Sequence, residues 1–158
     1  MNSQQSDHIK ISIQAEDFDL SVEVELLEQH NDEDGAVVTF SGRVRNANLG
    51  KKVSGLFLEH YPGMTEKSLN NIIEQAQQQW SIGRVTVIHR IGQLSVGDQI
   101  VFVGVTSKHR QEAFAACEFI MDYLKVKAPF WKKELSNGEE SWLDAKQSDQ
   151  DKALNWQS

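Results

Sequence analysis

The spacing of apolar residues along this chain changes period several times, and each period implies an element. Four stretches are rich in β-branched and aromatic residues and bounded by Gly or Asn, the composition of strands. They run from about Ala36 to Arg45 (AVVTFSGRVR), Val53 to His60, Arg84 to Ile91 and Gln99 to Thr106. A shorter run, Lys10 to Ile13, predicts a strand that pairs at an edge. Between the third and fourth strands lies GQLSVGDQ. Its Gly92 and Gly97–Asp98 pair predict a reversing loop between antiparallel strands. Two stretches switch to a helical period. After Thr65, a residue able to cap, Leu69, Ile72, Ile73, Ala76 and Trp80 recur at helical spacing. After Ser107, a second candidate cap, Ala113, Phe114, Ala116, Cys117, Ile120, Met121 and Leu124 form a broad apolar face. Pro129 disfavours helix at Ala128, so this helix is expected to stop by about Lys127. A shorter helix is expected over Phe18 to Gln29. The order is a mixed α+β pattern rather than strict β-α-β alternation.

Length adds one domain, residues 1–158, large enough to bury a core without disulfide or metal staples. Residues 1–8 and 151–158 are expected to be loose. No apolar run is long enough for a membrane helix, and the polar start MNSQQSDHIK lacks the apolar stretch of a secretory leader. A single cysteine, Cys117, cannot form an internal disulfide and suits a reducing cytoplasm. Its place in the apolar stripe of the second helix makes it a core residue rather than a nucleophile.

Charge changes the picture more. The net charge is −7, yet residues 35–133 carry thirteen Lys/Arg against seven acids, between two acidic ends. A basic middle in an acidic chain points to an anionic ligand. Phosphate loops of the GxxxxGK[ST] or GxGxxG type are missing, as are HExxH and GxSxG, so nucleotide, zinc and serine-hydrolase readings gain no support. No metal site is expected. The cations fall into three groups. Lys108, His109 and Arg110 follow Ser107, and in the first turn of a helix they would oppose its dipole while suiting an anion site. KVKAPFWKK, Lys125 to Lys133, holds four lysines with Phe130 and Trp131 among them. Clustered, partly desolvated lysines can serve as acid, base or nucleophile, although Lys125 and Lys127 also suit a helix end. In GRVRN, strand alternation would set Arg43 and Arg45 on one face, where two guanidinium groups can clasp a phosphate.

Five segments carry a resemblance. DEDGAVVTFSGRVRN, LEHYPGMTEKSL, GRVTVIHRIG, GDQIVFVGVTSKHR and FIMDYLKVKAPFWKKE occur in this order between Asp32 and Glu134. Together they resemble the catalytic large subunit of molybdopterin synthase, a sulfurtransferase family. The resemblance implies an α/β hammerhead-like fold with an additional antiparallel sheet. It implies conversion of cyclic pyranopterin monophosphate to molybdopterin, the dithiolene pterin of the molybdenum cofactor. No cofactor would be bound by the chain itself, because sulfur arrives as the thiocarboxylate on a small ubiquitin-like subunit with a Gly-Gly C-terminus. It also implies a homodimer at the centre of a cytoplasmic heterotetramer, with neither nucleic acid nor membrane as partner. The family's two active-site lysines fall on Lys125 and Lys132, and its substrate-binding arginine on Arg45. His109 and Arg110 match a pair contributed by the neighbouring protomer, and Phe40 and Met121 match pocket positions. Lys146 stands where the family usually has arginine, which keeps the charge and loses the bidentate fork.

Two rival classes fit the residues less closely. One is a basic-faced module for RNA or nucleotide, which the +6 middle favours and the absence of RNP or GXXG signatures opposes. The other is a non-catalytic dimer that presents a docking surface to a ubiquitin-like partner.

Overall fold

A computed structural model of the chain describes residues 8–48, 50–136, 139–143 and 147–156. In chain order the elements are β1 (Ile9–Gln14), α1 (Leu20–Glu28), β2 (Ala36–Arg43), the short β3 (Ala47–Asn48) and β4 (Lys51–Lys52), and β5 (Gly55–His60). There follow α2 (Met64–Gln79), β6 (Val85–Arg90), β7 (Gly92–Ser95), β8 (Gln99–Ser107), α3 (Arg110–Lys127), β9 (Phe130–Ser136), β10 (Glu139–Leu143) and α4 (Gln147–Asn155).

Two four-stranded sheets result, ordered β1-β6-β8-β2 and β10-β9-β5-β7. In the first, β1 runs parallel to β6 and the other pairs are antiparallel. The second is antiparallel throughout. The central strands of the first sheet are buried on both faces, and period-2 alternation sorts their residues. Val85 and Val87 of β6, with Val101, Val103 and Val105 of β8, pack against α2 and α3. Ile88 and Phe102 face the other way, onto Phe18 and Leu27 beside α1. At Gly104 any side chain would collide with Leu27, whose Cδ1 would lie 2.5 Å from a Cβ. Cys117 is buried in the α3 core, as expected, and burial pushes its thiol up to about 12.

Several expectations are corrected, each for a traceable reason. Thr65 does not cap α2. Gly63, at a φ of 84° that suits glycine, is the N-cap, and its N–H donates to the Glu66 carboxylate at 2.8 Å. The Thr65 hydroxyl is instead committed to tertiary structure. It accepts from the Tyr61 N–H at 3.1 Å and donates to the Pro129 carbonyl at 3.1 Å, tying the start of α2 to the entry of β9. Ser107 does not cap α3 either. It is the last residue of β8, and its hydroxyl donates to the Ser81 carbonyl at 2.8 Å. His109 is the N-cap, so Lys108 and His109 precede the helix and only Arg110 opposes its dipole. The first long strand stops at Arg43 rather than Arg45, where a register shift between Gly42 and Arg43 ends the pairing with β8. The reversing loop after β6 also supplies a strand, β7, to the second sheet. Residues 151–156 were expected to be loose. They instead end α4 against α3, with Ala153 buried and the Trp156 Nε1 donating to Asp122 Oδ2 at 2.8 Å. The short helix near the N-terminus is α1, capped by Asp19, whose carboxylate accepts from the N–H groups of Ser21 and Val22. Among the described residues no helix is long and apolar enough to cross a membrane.

Candidate active site

The two sheets meet where α3 ends. Pro129 stops the helix, the chain reverses, and β9 pairs antiparallel with β5, setting Phe130 opposite His60 and Lys132 opposite Leu58. Alternation along β9 places Phe130, Lys132 and Glu134 on one face, and Trp131 and Lys133 on the other. The first face closes a cavity of about 130 Å³. Phe40, Gly42 and Arg43 of β2, His89 of β6, Met121, Leu124 and Lys125 of α3, and Phe130 and Lys132 of β9 contribute to its wall. Gly42 keeps the space open, since a Cβ there would sit 2.8 Å from the Val101 Cγ1.

Of the residues expected in the site, the fold brings Lys125, Lys132, Phe40 and Met121 to this cavity. Lys125 comes from the last turn of α3, where its charge also meets the negative end of the helix dipole. Arg45 is exposed and does not line the cavity; Arg43 does, with its Nε donating to the Gly97 carbonyl at 3.1 Å. His109 and Arg110 are exposed at the opposite end of α3. Fifteen residues of helix separate Arg110 from Lys125, about 22 Å along the axis, so these groups do not share a site within one chain. Lys146 lies outside the described residues. Lys133, on the far face of β9, pairs with Glu140 at 3.2 Å and lies 4.7 Å from the centre of the Trp142 ring, a structural use of that lysine.

The electrostatics are one-sided. Among the described residues, Arg43, Lys125 and Lys132 line the cavity and no aspartate or glutamate does. A carboxylate does lie further along β9. Glu134 is buried, and its Oε2 accepts from the Asn48 Nδ2 at 2.8 Å, which pins the β3–β4 hairpin to the second sheet. His89, which the sequence reading left aside, is buried in the cavity wall, its ring stacked 3.9 Å from that of Phe130. Burial first, then the charges of Lys132, Lys125 and His60, hold its imidazole down to about 3 against the favourable hydrogen bond to the Arg90 carbonyl. The signal for it was present in the alternation of VTVIHR, which puts a histidine in the same row as the core residues Val85 and Val87.

Next to the cavity, and sharing Phe40, Met121 and Lys125 with it, an open groove of about 460 Å³ runs between β2 and α3. Its wall includes Val38, Phe114 and Cys117, and the Phe114 and Phe40 rings are 61% and 43% exposed. Among the described residues β2 is an edge strand of its sheet, so these exposed rings lie beside an open sheet edge.

Comparison with known proteins identifies the family. Residues 13–127 match the family described as MoaE protein. The chain is 58% identical over 151 residues to the molybdopterin synthase catalytic subunit of Vibrio cholerae serotype O1, spanning 96% of this chain and 99% of that protein. It is 56% identical over 147 residues to the molybdopterin synthase catalytic subunit of Escherichia coli K12, spanning 93% of this chain and 97% of that one. Among solved structures, the molybdopterin biosynthesis MoaE protein from Burkholderia ambifaria superposes with a TM-score of 0.82 at 45% identity, over 95% of this chain and 99% of that one. A family match over most of the chain, joined to full-length identity well above half, makes this chain a member of the MoaE family.

Proposed function

We propose that this chain is the catalytic subunit of a molybdopterin synthase, converting cyclic pyranopterin monophosphate to molybdopterin with sulfur from the C-terminal thiocarboxylate of a small ubiquitin-like partner. The observation that carries the reading is the cavity lined by Arg43, Lys125 and Lys132, with no carboxylate among the described residues of its wall. Both reactants are anions, and fixed cations in a confined site bind anions and stabilise negative charge as it develops. In each sulfur transfer a C–S bond forms to a substrate carbon as its C–O bond breaks. Water then cleaves the acyl–sulfur linkage, leaving a carboxylate on the partner's tail. Lys125 protonates or neutralises the departing oxygen, and Lys132 holds the substrate anion. Arg45 is assigned to the same anion by its place in the family's motif, with Arg43 the nearer guanidinium. The buried Cys117 thiol, held far above neutral, is not the sulfur carrier.

The site is completed by a second copy of the chain. Pairing two β2 edges antiparallel about a two-fold axis sets two α3 helices antiparallel, since α3 packs along β2. The His109 and Arg110 end of one helix then reaches the Lys125 end of the other, and Phe114 of one copy covers the groove beside Met121 of its mate. Arg110→Ala is expected to weaken substrate binding by about 1.5–3 kcal/mol, the scale of a lost charged hydrogen bond. With substrate held well below the wild-type KM, where each variant alone is nearly inactive, mixing Arg110→Ala with Lys125→Ala chains and allowing subunits to exchange is expected to restore about a quarter of wild-type turnover, because half the dimers then hold one intact site of two. No recovery in a mixture shown to exchange would remove Arg110 from the site and overturn the shared pocket. The function itself is tested by supplying thiocarboxylated partner and cyclic pyranopterin monophosphate: dithiolene product is expected, and its absence with a correctly folded pair of subunits contradicts the reading.

A further inference from the structure

We propose that His89 is the hydrogen-bond acceptor of the cavity, its Nε2 receiving an N–H or O–H group of the bound substrate. The inference deepens the functional reading above and rests on it for the identity of the substrate. Four observations support it.

The first is place. His89 follows Val85 and Val87 in the row of β6 residues that faces α3, and it lies where that row passes out of the apolar core into the cavity wall. A polar ring at a core-facing position is costly unless both of its nitrogens are used. The second is the tautomer. The Nδ1 lies 2.8 Å from the Arg90 carbonyl oxygen, which can only accept, so Nδ1 carries the proton and Nε2 keeps a lone pair. The third is fixity. Stacking on Phe130 at 3.9 Å, with ring planes 19° apart, holds the imidazole in one orientation.

The fourth is the chemistry of the remaining wall. Arg43, Lys125 and Lys132 only donate, and the other lining side chains are apolar, with the Met121 thioether a weak acceptor. Among the described residues lining the cavity, His89 is thus the one side chain that can receive a strong hydrogen bond. Burial first, then Lys132, Lys125 and His60, oppose its protonation, and the lining Arg43 adds no acceptor. It therefore remains an acceptor at neutral pH and is unsuited to act as the proton-transferring base. A reduced pterin carries several ring N–H groups. A wall of cations would hold its phosphate but leave these donors unmet, whereas one neutral acceptor reads them.

The test compares His89→Phe, which keeps the stack and the burial but has no lone pair, with His89→Gln, which restores an acceptor oxygen. Melting temperature and binding of the thiocarboxylated partner are measured alongside turnover of cyclic pyranopterin monophosphate. In folded His89→Phe, KM is expected to rise at least about tenfold with kcat changed much less, the size of one lost hydrogen bond in a confined site. His89→Gln is expected to recover most of that loss. An unchanged KM in the folded Phe variant, or a Gln variant no better than Phe, overturns the assignment. If the Phe variant does not fold, His89→Met provides the comparison lacking a strong acceptor. Wild-type turnover in the same assay separates the two ideas: a wild type that makes no product refutes the functional reading, whereas a product-forming wild type with an unaffected His89→Phe refutes only the acceptor.

Discussion

Lys125→Ala is expected to lower dithiolene formation about a hundredfold or more, the usual scale for loss of an acid–base group, while leaving the fold intact. Both halves of the expectation follow from position. The side chain stands on the last turn of α3, exposed on its outer face and lining the cavity, so its removal opens no core void. Its helix ends regardless, because Pro129 stops it. Truncation therefore removes one cation from a wall that holds three, next to where the leaving oxygen must take a proton or shed charge. Single-turnover rates with the thiocarboxylated partner, read beside a melting curve, check it. Near-normal turnover would sink the assignment of Lys125. A large fall in melting temperature would show that the lysine is structural.

Phe119→Ala should do the reverse. Phe119 is 1% exposed and sits at the centre of an aromatic cluster, with the rings of Tyr123, Trp80 and Trp156 centred 4.6, 5.3 and 5.5 Å away. Losing a buried phenylalanine costs about 3–5 kcal/mol, from lost transfer energy and from the cavity left behind. In a chain of this size that lowers the melting temperature by on the order of 10 °C. Edge-to-face ring pairs also fix the angle at which α4 docks on α3, so α4 should be the first element to loosen. Thermal unfolding followed by circular dichroism measures the first effect, and amide exchange over 147–156 the second. Turnover per folded molecule should stay close to wild type at low temperature. Loss of activity in a protein still folded would mean that the cluster transmits to Lys125 along α3, contrary to the separation of scaffold and chemistry described here.

The elements legible in the sequence are those whose burial is local. β8 is almost continuously apolar, β6 is rich in β-branched residues, and α2 and α3 carry long apolar faces, so composition and period locate them. Thr65 and Ser107 look like caps in sequence, but each hydroxyl is committed instead to a carbonyl distant in sequence, of Pro129 and Ser81 respectively. β9 was read as a cationic cluster with aromatics. Its lysines alternate between two faces with different uses, one toward the cavity and one against Glu140 and Trp142, and only pairing with β5 separates them. The same non-local pairing brings Lys132 up to the end of α3. His89 is the instructive omission: its alternation was readable, but its value lies in neighbours contributed by β9 and α3. The resemblance to the molybdopterin synthase family held, and family membership weighs against both the RNA-binding module and the non-catalytic dimer, since the relatives are named as catalytic subunits.

On the proposed function, sulfur passes from the partner's thiocarboxylate to the pterin inside this cavity, with no sulfur of this chain involved. This transfer is tested most directly by charging the small subunit with isotopically labelled sulfur and analysing the product by mass spectrometry, using wild type and Cys117→Ala. Both dithiolene sulfurs are expected to carry the label, and the two proteins to give the same product. Unlabelled sulfur in the product, or a Cys117→Ala protein that folds but makes none, would contradict that transfer.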